Sequence, residues 1–184
     1  MNLTLQWHGP FPLPTFVPRL SELWREFSER GVYLWIDRRD PEQICYVGKA
    51  TGSPNLWLRQ FDHYVSIIGG RSLIPDSHQG RDPIWEIDRD SDQALETMLD
   101  KERYCSVVRK GFAYSRQLAV CLCSLPDASS VDLRVLENNL LYDLRPRDTR
   151  YPARQPNPRL TLVHANAVWA TPSVLAQVLR FEGA

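Results

Sequence analysis

Residues 31–50 read Gly-Val-Tyr-Leu-Trp-Ile-Asp-Arg-Arg-Asp-Pro-Glu-Gln-Ile-Cys-Tyr-Val-Gly-Lys-Ala. Val32 to Ile36 is a run of β-branched and aromatic residues, the composition of a strand. Asp37 to Glu42 is charged and contains Pro41, the composition of a turn. Ile44 to Lys49 returns to strand composition, so the stretch predicts a β-hairpin. Side chains alternate between the faces of a strand. Tyr33 and Trp35 then share one face, with Val32, Leu34 and Ile36 on the other. In the second strand Ile44, Tyr46 and Gly48 share a face, and the right register sets both tyrosine hydroxyls over one cleft.

Beyond the hairpin, Thr51 to Asn55 is a loop with Gly52 and Pro54. Leu56 to Ile68 has helical spacing, with Trp57, Leu58, Phe61, Tyr64, Val65 and Ile68 as its apolar stripe. Arg59 and His63 lie one turn apart on the other side and face the hairpin cleft. Gly69 and Gly70 stop this helix. Residues 69–90 are polar and loop-like. Asp92 to Cys105 predicts a helix with Leu95, Met98 and Leu99 inward. Gln117 to Leu125 predicts a strand with Leu118, Val120 and Leu122 on one face.

Val131 to Leu144 carries Leu133, Leu136, Leu140, Leu141 and Leu144 at about 100° per residue, a single apolar stripe. Glu137 falls within it. A carboxylate on that face loses water, and something must offset the cost: a metal ion, a charged partner or a catalytic role. Residues 145–160 are rich in Arg and Pro and predict irregular chain. A last short helix starts at Pro172, with Thr171 as its cap. On the N-terminal side, Arg19 to Arg30 is amphipathic, with Leu20, Leu23, Trp24 and Phe27 on one face and Gly31 as a stop. Residues 1–17, with Pro10, Pro12 and Pro14, read as an extended arm.

The chain of 184 residues suits one domain with additions. Acidic and basic residues balance at net zero, which excludes a uniformly basic nucleic-acid binder. Any such binding comes from a local patch. No stretch approaches the ~20 apolar residues of a membrane span, and the N-terminus lacks the pattern of a signal peptide. A cytoplasmic protein without membrane contact is expected. Cys45, Cys105, Cys121 and Cys123 form no Cys-x-x-Cys pair, and all four read as small hydrophobes in a reducing compartment.

In chain order the candidates are Gly31-Val32-Tyr33, Tyr46-Val47-Gly48-Lys49, Arg59 with His63, Glu137 and Asn157. This order resembles the GIY-YIG nuclease superfamily, over roughly residues 31–68 and 117–158. Both tripeptides carry Val where the family has Ile, and the segment 69–116 looks like an insertion. The resemblance implies an α/β (α+β) fold with a small, mostly antiparallel sheet flanked by helices. Residues 1–30 would be an N-terminal arm and helix, 31–160 the nuclease domain with its insertion, and 161–184 a C-terminal helical extension. It implies a metal-dependent endonuclease that hydrolyses phosphodiester bonds, in DNA rather than RNA.

The resemblance assigns catalysis to Tyr33, Tyr46, Arg59, His63 and Glu137. Glu137 would ligate one Mg²⁺ or Mn²⁺, with waters and the scissile phosphate in the other positions. Arg59 would neutralise the phosphate through its planar fork. The general base stays open among Tyr33, Tyr46 and His63; a basic tyrosine needs positive charge nearby, because a free one titrates near 10. Gly48 leaves room for a phosphate backbone to approach. Lys49 and Asn157 complete the substrate contacts.

Arg145, Arg147, Arg150, Arg154 and Arg159 form a second basic stretch, a candidate phosphate-holding edge, with Arg147, Arg150 and Arg154 as its binding residues. The acidic run from Asp82 to Glu102 opposes a uniform DNA surface and suits a partner interface.

Singly, most of these residues have ordinary structural roles. Arg59 suits a solvated ion pair with Asp62, or a structural pair with Glu137. Two alternatives to an enzyme remain: a catalytically silent nucleic-acid-binding module, and a protein-interaction domain or homodimer.

Overall fold

The computed structural model describes residues 2–16, 27–69, 74–75, 83–84, 99–147, 155–157 and 160–166. Its centre is the hairpin. Strands β3 (Gly31–Asp37) and β4 (Asp40–Ala50) are antiparallel, with Tyr33 opposite Gly48 and Trp35 opposite Tyr46. The turn is tighter than its composition predicts: Asp37 pairs with Asp40, so Pro41 and Glu42 belong to β4. Proline is tolerated there because β4 is the edge strand of a four-stranded sheet ordered β2-β7-β3-β4.

The other two strands are β2 (His8–Pro12) and β7 (Leu118–Ser124), and every neighbouring pair in the sheet is antiparallel. The proline-rich N-terminus is therefore no free arm. It is extended, but it forms one edge of the central sheet. A separate strand, β1 (Asn2–Gln6), pairs in parallel with β8 (Thr161–Ala165). Residues 161–165 are thus a strand where a helical extension was expected. The helix start at Thr171 and Pro172 lies outside the described residues, as does most of the Arg19 to Arg30 segment.

All seven residues of β3 are buried, which accounts for its unbroken apolar run: both faces of the sheet are covered. On one face Tyr33, Trp35, Leu118, Val120 and Leu122 pack with Leu56, Trp57 and Ile67 of α2 (Leu56–Ile68) and Tyr114 of α3 (Lys101–Ser115). Leu13, from the short helix α1 (Leu13–Phe16), and Phe27 join that layer. On the other face Val32, Leu34, Ile36, Val47 and Cys121 pack with Leu133, Leu136 and Leu140 of α4 (Ser130–Leu144), and with Leu5 and Trp7.

The hairpin ladder is irregular at two places, one at its tip between Ile36 and Asp37 and one within the strands. Trp35 pairs with Tyr46 while Ile36 pairs with Ile44, so Cys45 is an extra residue in β4. This β-bulge puts Cys45 in the Tyr33 layer and sends Ile44 to the α4 layer, not to the Tyr46 face that strict alternation gives.

The helices follow their caps. Asn55 accepts from Leu58 N at 2.9 Å to start α2, and Ser129 and Asp132 form a reciprocal capping box at α4. The apolar stripe predicted for α2 is only partly its packed face: Leu56, Trp57, Gln60 and Ile67 are buried, while Phe61 and Val65 are exposed. The difference arises because α2 packs on α3 as well as on the sheet. Gly111 of α3 meets the Ile67 backbone, and no side chain would fit between them.

Of the helix predicted from Asp92 to Cys105, residues 92–98 lie outside the described residues. Asp100 interrupts the rest: it caps α3 by accepting from Arg103 N, and that helix runs on past Cys105 to Ser115. Leu99, expected inward, is exposed, and Leu95 and Met98 lie outside the described residues. The segment read as an insertion therefore contributes α3 to the main core, besides a two-residue ladder of β5 (Ile74–Pro75) and β6 (Pro83–Ile84). Cys45, Cys121 and Cys123 are buried; Cys105 is exposed, against expectation. Among the described residues no helix is long and apolar enough to cross a membrane.

Candidate active site

Tyr33 and Tyr46 lie side by side on the α2 face of the hairpin, ring centroids 6.0 Å apart and nearly parallel. From α2, one turn beyond Arg59, His63 turns its edge to both rings, at 5.8 and 5.6 Å. Tyr33 Oη and His63 Nε2 are 2.7 Å apart. The Arg59 charge acts on both phenols, and Tyr46 acts on Tyr33. Four of the five predicted catalytic residues thus lie in one cluster, tied by the Tyr33–His63 hydrogen bond.

Gly48 has a role different from the one its sequence suggested. A Cβ at Gly48 would run into the ring and hydroxyl of Tyr33. The space left by the missing side chain is filled by the tyrosine, not held open for a ligand. This glycine lets the Tyr33 phenol lie flat across β4 and reach α2.

Glu137 arrives from the opposite layer. Helix α4 buries Leu133, Leu136, Asn139 and Leu140, and Glu137 sits at the margin of that face with its side chain 20 % exposed. Its partner is Lys49, whose Nζ is ion-paired to Glu137 Oε2. The structural pair with Arg59 weighed from the sequence is therefore not the one formed. Lys49 follows Gly48 along β4 and points to the α4 side with Val47. The Glu137 charge is felt at Tyr46. The two groups thus come from the layers on either side of β4, with the Glu137 charge acting on Tyr46 between them.

The electrostatics decide which group holds a proton. Burial, helped by the neighbouring Tyr46, pushes Tyr33 well above the ordinary phenol value, and Arg59 only partly opposes it. Tyr46 is also raised, by burial first and then by Glu137, against the pull of Arg59. Burial and the Arg59 charge push His63 down to about 3. At neutral pH both tyrosines are protonated phenols and His63 is a neutral imidazole.

Two residues of this cluster carried no sequence signal of function. Trp35 sets its edge against His63 at 4.9 Å and packs on Tyr46 at 5.1 Å. Its indole donates to Gln60 Oε1 at 2.9 Å, and Gln60 is wholly buried. Gln60 lies one turn from Leu56 and Tyr64, on the inward side of α2, and that position was the available clue.

The remaining candidates are elsewhere or differently engaged. Asn157 is held by Asn139: its backbone N–H donates to Asn139 Oδ1 at 3.0 Å, and its carbonyl accepts from Asn139 Nδ2. Arg147, expected on a phosphate-holding edge, reaches Asp37 at 3.3 Å and Cys45 Sγ at 3.2 Å, while its backbone N–H caps the edge of β4 at Ile44. It ties the end of α4 to the hairpin. Arg150 and Arg154 lie outside the described residues.

For a divalent cation the donor set is sparse. Among the described residues no three His, Cys, Asp or Glu side chains cluster. A single carboxylate suits Mg²⁺ or Mn²⁺, hard ions that keep several waters and take one or two carboxylates plus substrate phosphates. It does not suit a closed zinc site. Glu137 with waters therefore fits the implied ion. No family model, curated protein or solved structure matches this chain.

Proposed function

We propose that this chain is a metal-dependent endonuclease of the GIY-YIG type, hydrolysing phosphodiester bonds in nucleic acid, DNA rather than RNA. The observation that carries the reading is the hydrogen bond of Tyr33 to His63, with Tyr46 packed beside them and the Arg59 charge acting on both phenols, on one side of β4, and Glu137 on the other. Structural cores seldom gather two phenols, an imidazole and a guanidinium; sites that move protons beside an anion do.

In this reading Tyr33 is not a standing phenolate and His63 is not the base: the neutral imidazole holds the Tyr33 hydroxyl in place, and the phenol orients the attacking water. Water oxygen bonds to phosphorus as the water gives its proton to solvent, the bond to the leaving oxygen breaks, and that oxygen takes a proton from solvent. Arg59, whose charge acts on both phenols, presents its N–H groups to the phosphoryl oxygens. Trp35, fixed by Gln60, keeps His63 in line. Glu137 would hold the divalent ion, which supplies charge for the phosphoryl and leaving oxygens when bound.

Supercoiled plasmid, duplex oligonucleotides and RNA, each with Mg²⁺ or Mn²⁺, test the reading. Nicking that Glu137→Gln abolishes supports it; binding without cutting under every condition sinks it. One observation favours a second reading, a silent binding module: Glu137 already has a partner in Lys49.

A further inference from the structure

Lys49 occupies the position a cation would take. Its ammonium is ion-paired to Glu137 Oε2, with the two side chains only 25 % and 20 % exposed. A carboxylate covered to that extent needs a counter-charge. Here a lysine on the neighbouring strand supplies it, from a position in β4 directly after the glycine that seats Tyr33.

We infer that Lys49 is a built-in counter-ion that competes with the divalent ion for Glu137, so that the metal enters only as the ammonium leaves. The inference rests on the nuclease reading above. A hard divalent ion sits about 2.0–2.2 Å from a carboxylate oxygen. An ammonium bonded to that same oxygen would stand against it as a like charge in a partly covered site, where repulsion is weakly screened.

The lysine has somewhere to go. Its ammonium rides on a flexible four-carbon stem and makes a point contact, unlike the two-pronged grip of an arginine. Its partial exposure opens a path to solvent. Once displaced, it stays tethered to β4 beside Gly48, free to meet a phosphate oxygen. Metal and nucleic acid then strengthen each other's binding, because each gives Lys49 or Glu137 a replacement partner.

Mn²⁺ titrated into the full chain without nucleic acid, followed by electron paramagnetic resonance of the free ion and by calorimetry, tests this. Lys49→Met should bind Mn²⁺ roughly tenfold more tightly than wild type, the scale of a partly buried ion pair. Lys49→Arg, with its two-pronged grip on the carboxylate, should bind Mn²⁺ more weakly than wild type. Glu137→Gln should lose the site. Lys49→Gln replaces Lys49→Met if circular dichroism shows the latter misfolded. Unchanged or weaker binding on neutralising Lys49, with Glu137→Gln still silent, overturns the counter-ion role and leaves the nuclease reading standing. Mn²⁺ binding that survives Glu137→Gln overturns both.

Discussion

The Tyr33 ring lies on the bare backbone of Gly48, its partner across the β3–β4 ladder. Gly48→Ala is therefore expected to push the phenol away from His63. Overpacking of this kind costs about 1–3 kcal/mol, and cutting should fall with it. Thermal melts and plasmid nicking measure the two effects. A variant as stable and as active as wild type would show that the ring does not need this seat.

Tyr33→Phe keeps the ring and removes the hydroxyl that orients the water. His63 loses its partner, which costs about 1 kcal/mol. Turnover should fall by about 10²-fold or more, the usual cost of a misplaced reactant, while the melting temperature moves by only a few degrees. Retained turnover would transfer the water-orienting role to Tyr46.

His63 gives the fold a pH signature. Its pKa is about 3 in the folded chain and 6.5 unfolded. Between those values the unfolded chain carries the proton and the folded chain does not. The stability held by neutral His63 is complete above about pH 6.5 and declines on acidification by up to about 1.4 kcal/mol per unit. It levels off near pH 3. Urea melts from about pH 4 to about pH 7 should show this slope, and His63→Gln should flatten it. Equal slopes in the two proteins would mean that His63 is solvated.

Asp37 is the anchor of the hairpin tip. Burial works to raise its pKa, but hydrogen bonds from the Arg39 side chain and backbone, with Arg147, outweigh it and hold the carboxyl below its usual range. Asp37→Asn keeps the shape and strands two guanidiniums. With Arg39 half exposed, the loss should be about 2 kcal/mol, read from denaturant midpoints. Because the carboxyl charge is already present at neutral pH, this loss should shrink as pH falls through the folded pKa of Asp37. A loss that stays constant down to low pH would show that the anchor is not ionic.

What could be read from the sequence was local. The strand at 31–37, the helix from Leu56 to Ile68 and the leucine helix carrying Glu137 are each specified by their own spacing and caps. The order Tyr33, Tyr46, Arg59, His63 marked the cluster because hairpin and helix are adjacent in the chain. The Lys49–Glu137 pair was not legible, since 88 positions separate its members. Nor was the place of β2 in the sheet, because a proline-rich segment acquires strand pairing only from a distant partner, here β7. The run of α3 beyond Cys105 was not legible either, because Lys101 to Lys110 is polar and shows no stripe. The bulge at Cys45 had no glycine or proline to announce it.

That extra residue is a spacer the ladder does not count. Excise Cys45, and Ile44 and Tyr46 become neighbours in plain alternation, each still opposite its present partner, Ile36 and Trp35; the second phenol and the lysine keep their layers. Excise Val47 instead, and the alternation between the second phenol and the lysine is broken, so the outcome of a single-codon deletion in this strand turns on whether it falls on the bulge or beside it.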